Sequence, residues 1–264
     1  MKITVIYVTD RAGGIDVLAD ALSVQQPLPD LSWDLVVVDG LPGRVERGLA
    51  AQHLRNKRLP LVHYGSPMPA MYPLACSSFA SMANTGLLHA TGDHVVFVRD
   101  FTWFKPEVIG QWQLAYEQRK DSDKMLMCAV GIEYQAPIKD NNDDVITWVG
   151  KSGDPRIDGR WNPTKPVVPV LFDVDFFCAP TSYFELTNGI DPRADLNPDW
   201  VRSSIVAQAN FHGYHLFCER RIIYHAVERP TVSDDDADEP SWTDWSANPY
   251  NVSQVRKRLR SGKE

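Results

Sequence analysis

The sequence lacks any pair of cysteines spaced for a zinc knuckle or a redox motif. Its four cysteines, Cys76, Cys128, Cys178 and Cys218, stand singly. This argues against a disulfide framework or a cysteine-based metal site, and it makes a reducing cytoplasm the expected compartment. Isolated cysteines of this kind usually serve as small buried hydrophobes. Positive charge is also short. The 27 Lys and Arg face 34 Asp and Glu, a formal net charge of −7. A general nucleic-acid coat needs a basic face, so this balance argues against one, while a local basic site remains open. Long apolar runs are missing too. The opening KITVIYV stops at polar TDR, too soon for a signal-peptide core or a membrane span. Internal repeats are absent.

What is present suits one large α/β domain. The chain has 264 residues, of which 44% are hydrophobic. ITVIYV at residues 3–8 is a continuous, β-branched apolar run, as expected of a central strand covered on both faces. The loop TDRAGG and the helically spaced IDVLADALSVQ follow, and WDLVVVDG then reads as a second buried strand. This strand–helix–strand order implies parallel strands joined by a right-handed crossover. Ligands in such sheets bind outside the carboxyl ends of the strands, which places Thr9, Asp10, Arg11 and Asp39 at a candidate site.

Further on, LPLVHYG reads as a short strand, and CSSFASMANTGLLHATG as a helix whose Gly92 can supply a left-handed end. HVVFV is a strand, PEVIGQWQLAYEQ a helix opened by proline, and MLMCAVGIEY a strand. Residues 136–168 read as an extended loop or lid. VPVLFDVDFFCAP reads as a strand, SYFELTNG as a short helix, and a helix is expected from Asn197-Pro198-Asp199 to Gly213. YHLFCERRIIYHAV adds a last strand or strand pair. The end of the chain carries an acidic run, SDDDADEP, and a basic stretch, VRKRLR.

Four ordered segments resemble the GT-A glycosyltransferases, in particular the inverting family 2 type. VIYVTDR resembles the first strand and its turn. WDLVVVDG resembles the second strand, ending in the Asp that contacts the nucleotide base. ANTGLLHATGDHVVFVRD resembles the helix, strand and acidic motif. FFCAPTSYFELTNGID resembles the acceptor-side segment. The resemblance implies a single GT-A (Rossmann-like) α/β domain over residues 1–230, with a mixed, mainly parallel central sheet flanked by helices. Residues 1–100 would form the nucleotide-binding half, 101–230 the acceptor-side half, and 231–264 a tail. It also implies a nucleotide-sugar donor, UDP-linked by expectation, an acceptor of unassigned chemistry, and Mn²⁺ or Mg²⁺ as cofactor.

The chain departs from the family at the acidic motif, which reads Arg99-Asp100-Phe101-Thr102 and keeps one carboxylate. A departing diphosphate develops negative charge that a divalent cation or basic side chains stabilise. The resemblance therefore makes Asp100 the metal carboxylate and His225 a second ligand, while Arg99 offers a guanidinium in partial replacement of metal charge. Asn84 and Asp39 would contact the donor. Asp199, at a helix N-terminus, is the expected general base, with Asp191 and Asp195 as runners-up. The literal DxD, Asp173-Val174-Asp175, falls in the acceptor-like segment and is expected to be structural or acceptor-facing. Trp161, in DGRWNP, is the tryptophan best placed to stack on a sugar. The depleted acidic motif keeps open a binding or scaffold protein with the same fold. A sugar-phosphate nucleotidyltransferase is disfavoured because TDRAGG lacks a longer glycine-rich cradle and a following lysine.

Overall fold

The computed structural model describes residues 1–10, 14–25, 28–30, 32–41, 47–67, 79–139, 145–150, 164–166, 169–197 and 200–227. The expected tail at 231–264, Arg11, Trp161 and Asp199 lie outside the described residues.

The chain runs β1 (Lys2–Thr9), α1 (Ile15–Ser23), β2 (Ser32–Asp39), α2 (Arg47–Asn56), β3 (Leu61–Gly65), α3 (Phe79–His89), β4 (His94–Arg99) and β5 (Thr102–Phe104). It continues with α4 (Val108–Glu117), β6 (Met125–Lys139), β7 (Val145–Gly150), β8 (Thr164–Pro166), β9 (Phe176–Pro180), α5 (Thr181–Leu186), α6 (Trp200–Phe211) and β10 (His215–Val227). One sheet has the order β3-β2-β1-β4-β9-β6-β10-β5, with β7 on β6 and β8 on β10. Along this path β3, β2, β1, β4, β6 and β10 run the same way, and β9 and β5 run against them. The sheet is therefore mixed and mainly parallel, flanked by helices.

Its strands are apolar on both faces because both faces are covered. Ile6, Val8, Val36, Val38, Val95 and Phe97 pack under α3, α5 and α6. Val5, Tyr7, Leu35, Val37, Val96 and Val98 pack under α1 and α4. Burial at roughly 25 cal/mol per Å² of apolar surface is what selects this arrangement over an open one.

Three expectations need correction. The stretch 136–168 is not one loop, because β6 extends to Lys139 and pairs with β7, and β8 pairs with β10. The strand expected over 168–180 shrinks to Phe176–Pro180. Pro169 opens a 3-10 turn to Leu171, and Asp173 to Asp175 form a loop rather than a strand face. Gly92 does not take the left-handed conformation. It is needed for close approach instead, since a Cβ there would come within 2.6 Å of Thr4 N and 2.8 Å of the His94 carbonyl.

Candidate functional site

Strand register aligns the candidate residues. Thr9 pairs with Asp39 across β1 and β2, and Val8 pairs with Arg99 across β1 and β4. Thr9, Asp39 and Asp100 thus end three adjacent parallel strands on one rim, and each is buried. The turn beyond β4 is braced from β1. Gly14, at φ 81, caps α1 so closely that a Cβ would lie 2.9 Å from the Tyr7 hydroxyl and 3.2 Å from Phe101 N. Phe101 itself holds φ 55, a left-handed backbone that costs on the order of 1 kcal/mol outside glycine. Surrounding structure imposes that conformation on the residue beside Asp100.

Asp39 is held by its neighbours. Tyr64, on β3, donates its hydroxyl to Oδ2 at 2.9 Å, and Leu41 N donates to Oδ1 at 3.1 Å. Asn84 has a different role from the donor contact expected of it. Its amide nitrogen donates to the Ile190 carbonyl at 2.7 Å, and its Oδ1 accepts from Ile190 N at 2.8 Å. Asn84 is a buried clamp between α3 and the backbone at Ile190.

Arg99 lies beneath the rim, with 12% of its side chain exposed. It donates through Nη1 to Asp175 Oδ1 at 2.6 Å and lies 4.9 Å from the Phe79 ring centre. Burial opposes its charge, but Asp175, then Asp100 and Asp10, outweigh that and raise its pKa. Asp173-Val174-Asp175 lies beside the end of β4, because β9 runs antiparallel to β4 and begins where β4 ends, with Val98 opposite Phe176. Asp173 in turn accepts from Asp175 N at 2.9 Å and from the Tyr224 hydroxyl at 2.7 Å. The signal was visible as a literal DxD, but only antiparallel pairing puts it here.

His225 stacks on Trp103, 5.6 Å between ring centres and 14° from coplanar, as partners across β10 and β5. Burial first, and Lys105 second, lower its pKa. Among the described residues no three His, Cys, Asp or Glu gather as a group that could hold a metal. Asp100 and His225 belong to no such group, so a metal at this rim would draw its remaining ligands from the donor's diphosphate and from water. The runner-up bases are also committed. Asp195 accepts from Ala80 N at 2.7 Å, Ser81 N at 3.0 Å and Ser81 Oγ at 2.6 Å, capping α3. Asp191 pairs with Arg193 at 2.5 Å.

The element carrying Tyr64 is tied to α3 by a histidine stack. His63 and His89 lie 3.6 Å apart and within 7° of parallel. Burial, with His89 adding to it, holds His63 at about 4, and burial holds His94 at about 4. An unfolded histidine protonates near 6.5, so between these values the unfolded chain binds more protons than the folded one. Stability is then full above pH 6.5 and falls as pH drops toward 4. Urea unfolding at pH 7 and pH 4.5 should show this loss, and His63→Phe should flatten the slope by about one proton. A slope unchanged by His63→Phe rules out His63 as a source.

No family model matches the chain, and no curated protein matches it. Solved structures do. TarS residues 1–349 from S. aureus with UDP-GlcNAc aligns with TM-score 0.61 at 16% identity, over 90% of this chain and 62% of that one. The same protein with UDP gives 0.60 at 16%, over 87% and 61%. GalNAc-T7 with UDP, GalNAc and Mn²⁺ gives 0.60 at 10%, over 99% and 55%. The chain thus spans little more than half the length of these neighbours. Among the described residues no helix is long and apolar enough to cross a membrane. With its strands ending in one acidic rim and its topology shared with these structures, the chain has the GT-A glycosyltransferase fold.

Proposed function

We propose that this chain is a glycosyltransferase that moves a hexosyl or pentosyl unit from a nucleotide sugar, UDP-linked, to an acceptor hydroxyl. The observation that carries this reading is the shared rim: Thr9, Asp39 and Arg99-Asp100 end parallel strands in register, in a fold whose solved neighbours were captured with UDP or UDP-GlcNAc. In this reading residues 1–100 hold the donor, residues 101–230 face the acceptor, and the scattered cysteines suit a cytoplasmic setting.

The acceptor hydroxyl attacks the anomeric carbon, and its proton passes to a carboxylate, for which Asp199 is our assignment. As the new C–O bond forms, the bond to the diphosphate breaks and the nucleoside diphosphate leaves with the electron pair. Thr9, Asp10, Arg11 and Asp39 line the base and ribose side. Asp100 and Arg99 shape the field at the diphosphate, where charge develops, and preorganised groups act most strongly there. A divalent cation, which the resemblance implies and the Mn²⁺ in the GalNAc-T7 complex suits, would be held by Asp100, with His225 as the second ligand, and would offset the charge that develops on the diphosphate.

Titration calorimetry with UDP and UDP-sugars, with and without Mn²⁺, followed by a donor-hydrolysis assay, tests the proposal. Asp100→Asn should lower turnover about 100-fold while the fold persists. The arrangement of one acidic-motif carboxylate beside a buried arginine also favours a second reading, a donor-binding protein without transfer. Tight UDP binding with no turnover, indifferent to Asp100→Ala, would select that reading.

A further inference from the structure

Among the described residues the strand ladder leaves a junction near the rim without direct strand pairing. β6 pairs with β9 only at Met127–Cys178 and Cys128–Phe177. β10 is irregular between Cys218 and Ile223, and its outer part, Ile223–Val227, then pairs with β6 from Val130 to Tyr134 and with β5. Ladder pairing therefore does not connect the part of β10 bearing Tyr224 and His225 directly to the end of β4 bearing Arg99 and Asp100. The loop at 173–175 spans that gap. Arg99 N donates to the Asp175 carbonyl at 3.0 Å, and the Arg99 guanidinium donates to its carboxylate at 2.6 Å. Asp175 N donates to Asp173 Oδ1 at 2.9 Å, and the Tyr224 hydroxyl donates to Asp173 Oδ2 at 2.7 Å.

We propose that Asp173 and Asp175 are positioning residues, a polar strut running from Arg99 to Tyr224 that sets Asp100 and the Trp103–His225 pair across from each other for a nucleoside diphosphate. The inference rests on the donor-site reading of the rim. Three features make the motif a strut and not a ligand. Both oxygens of Asp173 already accept hydrogen bonds, Asp175 faces a buried guanidinium, and every link is short and directional. Charge-assisted hydrogen bonds of this kind fix geometry as well as add energy. A network whose members share partners shifts as a unit, so damage at Tyr224 is felt at Arg99 through the loop.

The experiment measures UDP affinity by calorimetry for the full chain, with melting curves in parallel, for wild type, Tyr224→Phe, Asp173→Asn, Arg99→Lys and the Tyr224→Phe/Arg99→Lys double variant. Tyr224→Phe removes one hydroxyl from the far end of the strut and keeps the ring in the core. It should still fold, and it should weaken UDP about five- to tenfold. The double variant should lose no more affinity than the worse single variant, because either break already frees the strut. If the singles lower the melting temperature but leave wild-type UDP affinity untouched, the strut is only structural and the inference falls while the donor reading stands. If Asp173→Asn weakens UDP and Tyr224→Phe does not, Asp173 is a ligand and the inference falls again. A wild type that binds no UDP at all, with or without Mn²⁺, removes both.

Discussion

Arg99→Met is expected to destabilise the fold by about 3 kcal/mol, because breaking a largely buried ion pair leaves its partner charge uncompensated. Asp175 keeps 28% of its side chain exposed, so water softens the penalty and holds it at the lower end of the buried-pair range of about 3–5 kcal/mol. Asp100 and Asp10 also lose the cation whose charge theirs support. The diagnostic is the second substitution. Arg99→Met with Asp175→Leu removes both charges and should recover most of the loss, since an apolar pair of similar volume often replaces a buried ion pair at little cost. Urea unfolding at pH 7 reads both variants. A single variant within about 0.5 kcal/mol of wild type would mean that the pair behaves like an ordinary surface bridge.

Asp195→Ala should be at least as damaging, about 3–5 kcal/mol, and by a different route. The carboxylate is 1% exposed and reaches 115 residues back along the chain to cap α3. Its loss strands two backbone N–H groups and the Ser81 hydroxyl inside the protein, each costing about 1–3 kcal/mol when unpaired, less what relaxation and entering water recover. Asp195→Asn keeps the shape and part of the acceptor capacity, so it should cost about half as much. Chemical unfolding monitored by tryptophan fluorescence distinguishes the two. Equal, small losses would show that α3 finds its N-terminal partners elsewhere. Because α3 joins the sheet beside β1 and β2 to the segment at 190–195, the alanine variant should also unfold in one transition, without an intermediate.

The strands were the most legible part of the chain. ITVIYV, LVVVD and HVVFV are unbroken apolar runs whose charged or polar ends coincide with the ends of β1, β2 and β4. Burial on both faces leaves an apolar run few alternatives. α2 was not legible, because RGLAAQHLRN is too polar to show a clear stripe. The run VPVLFDVDFFCAP read as one strand, since apolar periodicity does not reveal that Pro169 turns the backbone and that the aspartates prefer each other's amides and hydroxyls to a ladder.

Candidate residues divide in the same way. The placement of Thr9 and Asp39 follows from topology alone, because a parallel sheet gathers the ends of its strands on one side whatever the details of packing, whereas Asp100 came from the resemblance. The roles of Asn84, Asp195, Asp173 and Asp175 were decided only by the folded chain. Each of these side chains is satisfied by a partner chosen in space, at separations of 106 residues for Asn84 with Ile190 and 76 for Arg99 with Asp175. The sequence by itself determined which segments are buried and where their ends gather, since hydrophobic burial and strand period are local in the chain. Tertiary structure decided which polar groups meet at those ends, since a buried donor or acceptor takes whatever partner packing brings within about 3 Å, however distant in sequence.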